Sequence, residues 1–164
     1  MQNVAGVMCT ESVDTRDWEQ LLCKGAQEVF EMMIGTSLVR CPDTLPCLPG
    51  EFTAVVGLAG PIHGVFAIRC DEKTARGIAC GMLGVNDDEA RAEVWDALGE
   101  VCNMVVGNFK GKIGRVGEAS VLSVPTVIHG HDYKVRPLIN GSFLDCLMQT
   151  GKGQLHLRLD YMLA

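Results

Sequence analysis

EVFEMMIG (Glu28–Gly35) and EVCNMVVG (Glu100–Gly107) stand 72 residues apart and agree at four of eight positions, the Glu, Val, Met and Gly. Each octet closes a helical pattern. The first pattern, DWEQLLCKGAQEVFEMMIGTSL, offers Asp17 as N-cap, an acidic first turn, apolar Leu21, Leu22, Val29 and Met33, and a terminating Gly35. The second begins near Asp87 or Asp88 and runs through EARAEVWDALGEVCNMVVGNF. A strand-like segment follows each, SLVRC in one case and SVLSVPTVIHG in the other. A hairpin comes next: FTAVVGLAG and HGVFAIRC joined by GPIHG, then GSFLDCLMQT and QLHLRLDYML joined by TGKG. DEKTARGIACGMLG adds a short helix between the halves. The expectation is an α/β protein of the α+β type, a pseudo-two-fold duplication of helix plus antiparallel strands with one sheet covered by long helices. Residues 1–16 read as a loose polar arm, and 17–164 as a single domain with halves at about 17–86 and 87–164.

Composition sets the function classes. A chain of 164 residues, 48% hydrophobic, can bury one real core. Its net charge is −6 and its Lys and Arg residues are scattered, so there is no basic stripe for nucleic acid or an anionic membrane. No apolar run is long enough for a membrane span, and MQNVAGVMCTESVDTRDWEQ has no basic n-region, so the expected location is cytoplasmic. Eight cysteines (Cys9, Cys23, Cys41, Cys47, Cys70, Cys80, Cys102, Cys146) occur without a CxxC, mostly beside Val, Leu or Ile, where a thiol packs as a small hydrophobe. A redox or metal sensor built on them is the competing reading.

On a helical wheel, Val94, Leu98, Val101, Cys102, Val105 and Phe109 form one core arc. Asp96, Asn103 and Gly107 fall within about 60° of Glu100 on the other side, with Met104 and Ala97 beside them. A polar outer face is ordinary for an amphipathic helix. Asn and Gly are poor helix formers, however, and an interior Gly costs roughly 1 kcal/mol relative to Ala. Their presence on the ridge suggests that another molecule uses it, with Gly107 clearing space for a close approach to Asn103.

Asp96-x-x-x-Glu100-x-x-Asn103 followed by Pro125 resembles the signature of the CheC/CheX/FliY family of chemotaxis phosphatases, nearest its CheX branch. The likeness runs over nearly the whole chain after the arm, although 21 residues separate Asn103 from Pro125, about one fewer than in the family pattern. The resemblance implies a CheC-like fold and hydrolysis of the phosphoaspartate of a CheY-like response-regulator receiver domain. It implies that Asn103 orients the attacking water and that Glu100 pairs with the regulator's lysine. Asp96, Met104 and Gly107 would serve docking. The chain itself would bind no metal or cofactor, the Mg2+ being supplied by the phosphorylated partner, and a homodimer through sheet edges is the expected assembly. A non-catalytic module that binds a receiver or another chemotaxis protein through the same ridge remains the alternative.

In the first helix the position matching Asn103 carries Glu31, and the one matching Asp96 carries Lys24. A carboxylate near a phosphoryl group would be repelled, so the first motif is expected to be inactive. Other candidates are weaker. His129 and His131 alternate as metal ligands can, but also as surface histidines of a turn; His63 is placed in a hairpin turn and His156 in a strand. GNFKGKIG lacks P-loop spacing, and Lys110 and Lys112 are expected to fringe the docking surface.

Overall fold

A computed structural model describes residues 13–46 and 49–164. Residues 1–12 of the expected arm lie outside the described residues. Helix α1 (Trp18–Val29) continues as a π-helical turn over Phe30–Ile34 and ends at Gly35, whose φ of 71° is the left-handed conformation that glycine adopts most readily. Asp17 holds the N-cap position, but its side chain makes no capping bond. Strand β1 (Leu38–Arg40) follows, then the hairpin of β2 (Phe52–Ala59) and β3 (Ile62–Cys70), then α2 (Glu72–Leu83). Asp71 caps α2 by accepting a 2.7 Å bond from Thr74 N–H.

The second half opens with α3 (Asp87–Lys112), three residues longer than the pattern indicates. Asn86 and Glu89 form a reciprocal capping box, with bonds of 3.0 and 3.2 Å. A one-turn helix that the sequence reading missed, α4 (Arg115–Glu118), comes next. The single strand expected from SVLSVPTVIHG is two, β4 (Val121–Leu122) and β5 (Thr126–His129). The hairpin β6 (Ser142–Thr150) and β7 (Gly153–Leu163) closes the chain. His63 stands within β3 opposite Met162, because the turn is confined to Gly60 and Pro61.

All strand pairs are antiparallel, and the sheet order is β1-β6-β7-β3-β2-β4, with β5 also on β2. Exchanging β1 with β4 and β5, β2 with β6, and β3 with β7 returns the same order read from the other side. The pseudo-two-fold therefore runs between β3 and β7. Each half also sends its edge strand to the other half: β1 pairs with β6, while β4 and β5 pair with β2.

Alternate strand residues point under the helices. Phe52, Ala54, Val56 and Leu58 of β2, Phe66 and Ile68 of β3, and Leu155, Leu157 and Leu159 of β7 are buried in one core with the apolar sides of α1, α2 and α3. Phe30, Phe66 and Phe109 are fully buried, each contributing about 1.5–3 kcal/mol of hydrophobic stabilisation. Trp18 packs edge-on to Phe109 with centroids 5.8 Å apart, joining α1 to α3. Where the helices cross, a Cβ on Gly25 would stand 3.3 Å from the Phe109 backbone nitrogen, so the absence of a side chain sets the approach.

Candidate active site on helix α3

The core arc of α3 is as the period requires: Val94, Leu98, Val101, Cys102, Val105 and Phe109 are all buried. Asp96 and Glu100 are exposed, whereas Asn103, Met104 and Gly107 are half-buried, so accessibility falls towards the C-terminal end of the ridge. Ala97 is buried, contrary to its expected place beside the ridge. It is part of the apolar core cluster. Among the described residues, the side chains of Glu100 and Asn103 have no hydrogen-bond or ion-pair partner within the chain, and Asp96 has no ion pair. One amide and two carboxylates thus face outward with their bonding capacity unused.

The chain from β4 to β5 borders this ridge. A Cβ on Gly99 would lie 3.4 Å from Pro125 Cβ and Cγ, and one on Gly107 would lie 3.9 Å from Leu122 Cδ1. Residues 122–125 therefore run beside α3 from Gly107 back to Gly99, with Glu100 and Asn103 between those two points. Pro125, distant from Asn103 in sequence, is part of the same surface. Leu122 pairs with Leu58 and Thr126 with Val55, so Val56 and Gly57 of β2 face three residues, Ser123, Val124 and Pro125. This is a β-bulge. The proline inside an otherwise β-branched run was the sequence signal for it, because proline in a sheet is confined to edges, strand starts and bulges.

On the equivalent ridge of α1 the first carboxylate is engaged. Glu28, the counterpart of Glu100, accepts from Lys112 Nζ at 2.7 Å and from Asn108 Nδ2 at 2.8 Å. The Lys112 ammonium and then the Asn108 amide hold its carboxyl below the ordinary glutamate value. Asn108 Nδ2 also donates to Gly25 O at 3.1 Å. Glu31, the counterpart of Asn103, is exposed.

Several subsidiary expectations are corrected by these contacts. Lys112 is engaged by Glu28, and Lys110 Nζ donates to the Gly117 carbonyl at 2.8 Å, so both lysines are taken up internally instead of fringing the docking surface. His129 belongs to β5 and stacks on Phe52 at 4.1 Å, with Trp95 edge-on to both rings. His131 Nδ1 lies 3.5 Å from Glu51. His156 contacts the Asp145 carboxylate at 2.5 Å, and that carboxylate also accepts from Arg158. No group of three His, Cys, Asp or Glu among the described residues is arranged to hold a metal ion.

Of the cysteines described, Cys23, Cys41, Cys70, Cys102 and Cys146 are buried and Cys80 is half-buried; all six are unbridged. Burial pushes the Cys102 thiol up to about 12 and raises Cys70 further, the opposite of what a reactive thiolate requires. Cys9 and Cys47 lie outside the described residues.

The sequence pattern of the family described as chemotaxis phosphatase CheX matches residues 52–147, a span that holds Glu100, Asn103 and Pro125. The chain belongs to the CheX family. The CheY-P phosphatase CheX of Thermotoga maritima is 28% identical over 90 residues, covering 54% of this chain and 58% of that relative. The chain thus matches less than two thirds of that relative's length. Among solved structures, chemotaxis protein CheX from Vibrio vulnificus superposes with a TM-score of 0.75 at 23% identity, covering 92% of this chain and all of that one. CheX in the CheX–CheY–BeF3–Mg2+ complex from Borrelia burgdorferi gives 0.73 at 21% identity over 92% of this chain and 99% of its own. A CheC-like superfamily protein from a Shewanella species gives 0.76 at 21%, covering 90% of this chain and 98% of that one. These likenesses establish the CheX/CheC-like fold.

Proposed function

We propose that this chain is a phosphatase that hydrolyses the phosphoaspartate of a CheY-like receiver domain, with Asn103 as its catalytic residue. The observation that carries the proposal is Glu100 and Asn103, one turn apart on the outward side of α3, both unpaired within the described chain and bordered by a glycine at position 107. Family membership and the named activity of the Thermotoga relative support it. The Borrelia complex, in which a chain of the same fold is bound to CheY, supports a receiver as the partner.

Phosphoryl transfer proceeds through a loose transition state, so positioning and electrostatics supply most of the rate. On docking, the α3 ridge enters the partner beside its acyl phosphate. The Asn103 carbonyl accepts a hydrogen bond from the attacking water and holds its lone pair in line with phosphorus. The new P–O bond forms as the bond to the aspartyl oxygen breaks, releasing inorganic phosphate and the free carboxylate. A neutral amide suits this position because it adds no negative charge beside the developing phosphate. Glu100 pairs with a lysine of the receiver and fixes the register, while Asp96, Met104 and Gly107 contribute to docking. The Mg2+ belongs to the receiver. The protein acts in the cytoplasm within a two-component pathway, as a homodimer.

The decisive measurement is phosphate release from phosphorylated receiver domains. Wild type accelerates it, and Asn103→Ala lowers the acceleration roughly 100-fold or more, the scale for removing one preorganised transition-state contact. Binding of the receiver survives that change. Full activity in Asn103→Ala overturns the mechanism; receiver binding by the wild type without acceleration would identify a non-catalytic binding module instead.

A further inference from the structure

The bulge between β4 and β5 carries an inference that rests on the phosphatase reading. Ser123 fastens it on three sides. Its N–H donates to Gly57 O at 2.9 Å, its Oγ accepts from Gly57 N–H at 2.8 Å, and the same hydroxyl donates to Val124 O at 2.9 Å. Pro125 is seated on Gly99. Between these anchors Val124 is 83% exposed, and Val121, one strand position before Leu122, is 65% exposed.

A bulge and a proline on an edge strand protect the sheet against pairing with other chains. That role accounts for the bulge and for Pro125. It does not account for a valine as the extra residue, since lysine or another charge protects an edge better. Nor does it account for the position. The bulge stands alongside α3 between the contacts at Gly99 and Gly107, the segment of helix that bears Glu100 and Asn103. Val124 therefore belongs to the border of the helical segment that bears Asn103, between Leu122 beside Gly107 and Pro125 on Gly99.

We propose that Val124, held out by Ser123, is a specificity-determining contact of the site: it meets an apolar patch on the receiver domain beside the phosphorylated aspartate. The polar pair on α3 provides the chemistry and the register, and the bulge tests whether the surrounding surface is apolar. Ser123 acts through Val124 and is a positioning residue. Binding, and not the chemical step, therefore depends on the bulge.

The test uses the full chain and a phosphorylated receiver domain that the wild type dephosphorylates, with phosphate release followed over a range of receiver concentrations. Val124→Asp raises KM about tenfold or more, because a carboxylate at the contact must be desolvated without a partner. Val124→Ser raises it by a smaller factor. Ser123→Ala raises KM about threefold by loosening the bulge, and Ser123→Thr, which keeps the hydroxyl, restores it. In all four kcat stays within about twofold, since Asn103 is untouched. Leu138→Asp, at a residue 93% exposed in the segment between β5 and β6, changes neither parameter. An unchanged KM in Val124→Asp overturns this proposal alone, as does an equal rise in Leu138→Asp. If the wild type releases phosphate from no receiver, the phosphatase reading falls and takes this proposal with it.

Discussion

The ridge of α1 and the ridge of α3 carry related octets and occupy equivalent places in a pseudo-symmetric fold, yet their first carboxylates differ in what they touch. On α3, Glu100 and Asn103 face outward unpaired within the described chain. On α1, Glu28 is held by Lys112 and Asn108. Those two residues belong to the part of α3 that runs past Gly107. Gly35 halts the first helix in the left-handed conformation, while Gly107 remains helical, and the extra turn so gained reaches back to pair with Glu28 of the first ridge. The difference lies in the neighbours as much as in the motif. One glycine ends a helix and its counterpart keeps a surface open.

Exchanging the residues that distinguish the ridges gives the largest expected effect. Asn103→Glu places on α3 what α1 carries, and a carboxylate about 4 Å from the phosphoryl group adds roughly 1–4 kcal/mol of repulsion. Phosphatase activity is expected to fall at least as far as in Asn103→Ala, with thermal stability unchanged. An intermediate effect comes from Gly107→Ala. The new Cβ meets only Leu122 Cδ1 at 3.9 Å, so the helix gains roughly 0.5–1 kcal/mol, read as a raised Tm, while receiver binding weakens. A raised Tm with unaltered KM would show that the glycine is not kept for docking. The smallest effect belongs to Glu31→Asn. Restoring the amide on α1 yields no new activity when assayed in an Asn103→Ala background, because Glu28 stays paired with Lys112 and Asn108. Recovered phosphate release would mean that residue identity alone separates the ridges.

Much of this contrast was legible in the sequence, for reasons that differ by residue. The buried arc of α3 follows from helical period, and the hairpins follow from β-branched runs broken by glycine. Asn103 stood out because a helix would not choose it. Ala97 was misplaced because a wheel records angle and not what packs above a small side chain. Lys110 and Lys112 were misread because a lysine near a site looks the same in sequence whether it faces a partner or its own backbone. The strand break at Ser123–Pro125 was signalled by its proline, but its alignment with Gly99 and Gly107 exists only once β2 has paired with both β4 and β5.

The crossed edge strands bear on how such a duplicated chain can change. Neither half completes its own hairpin: β2 is closed by strands from the second half, and β6 by a strand from the first. Deleting the first half would strip the border from one hairpin and remove the helix on which Phe109 packs. On the phosphatase reading proposed above, the first half serves as scaffold, because its edge strand and its helix complete the half that bears Asn103.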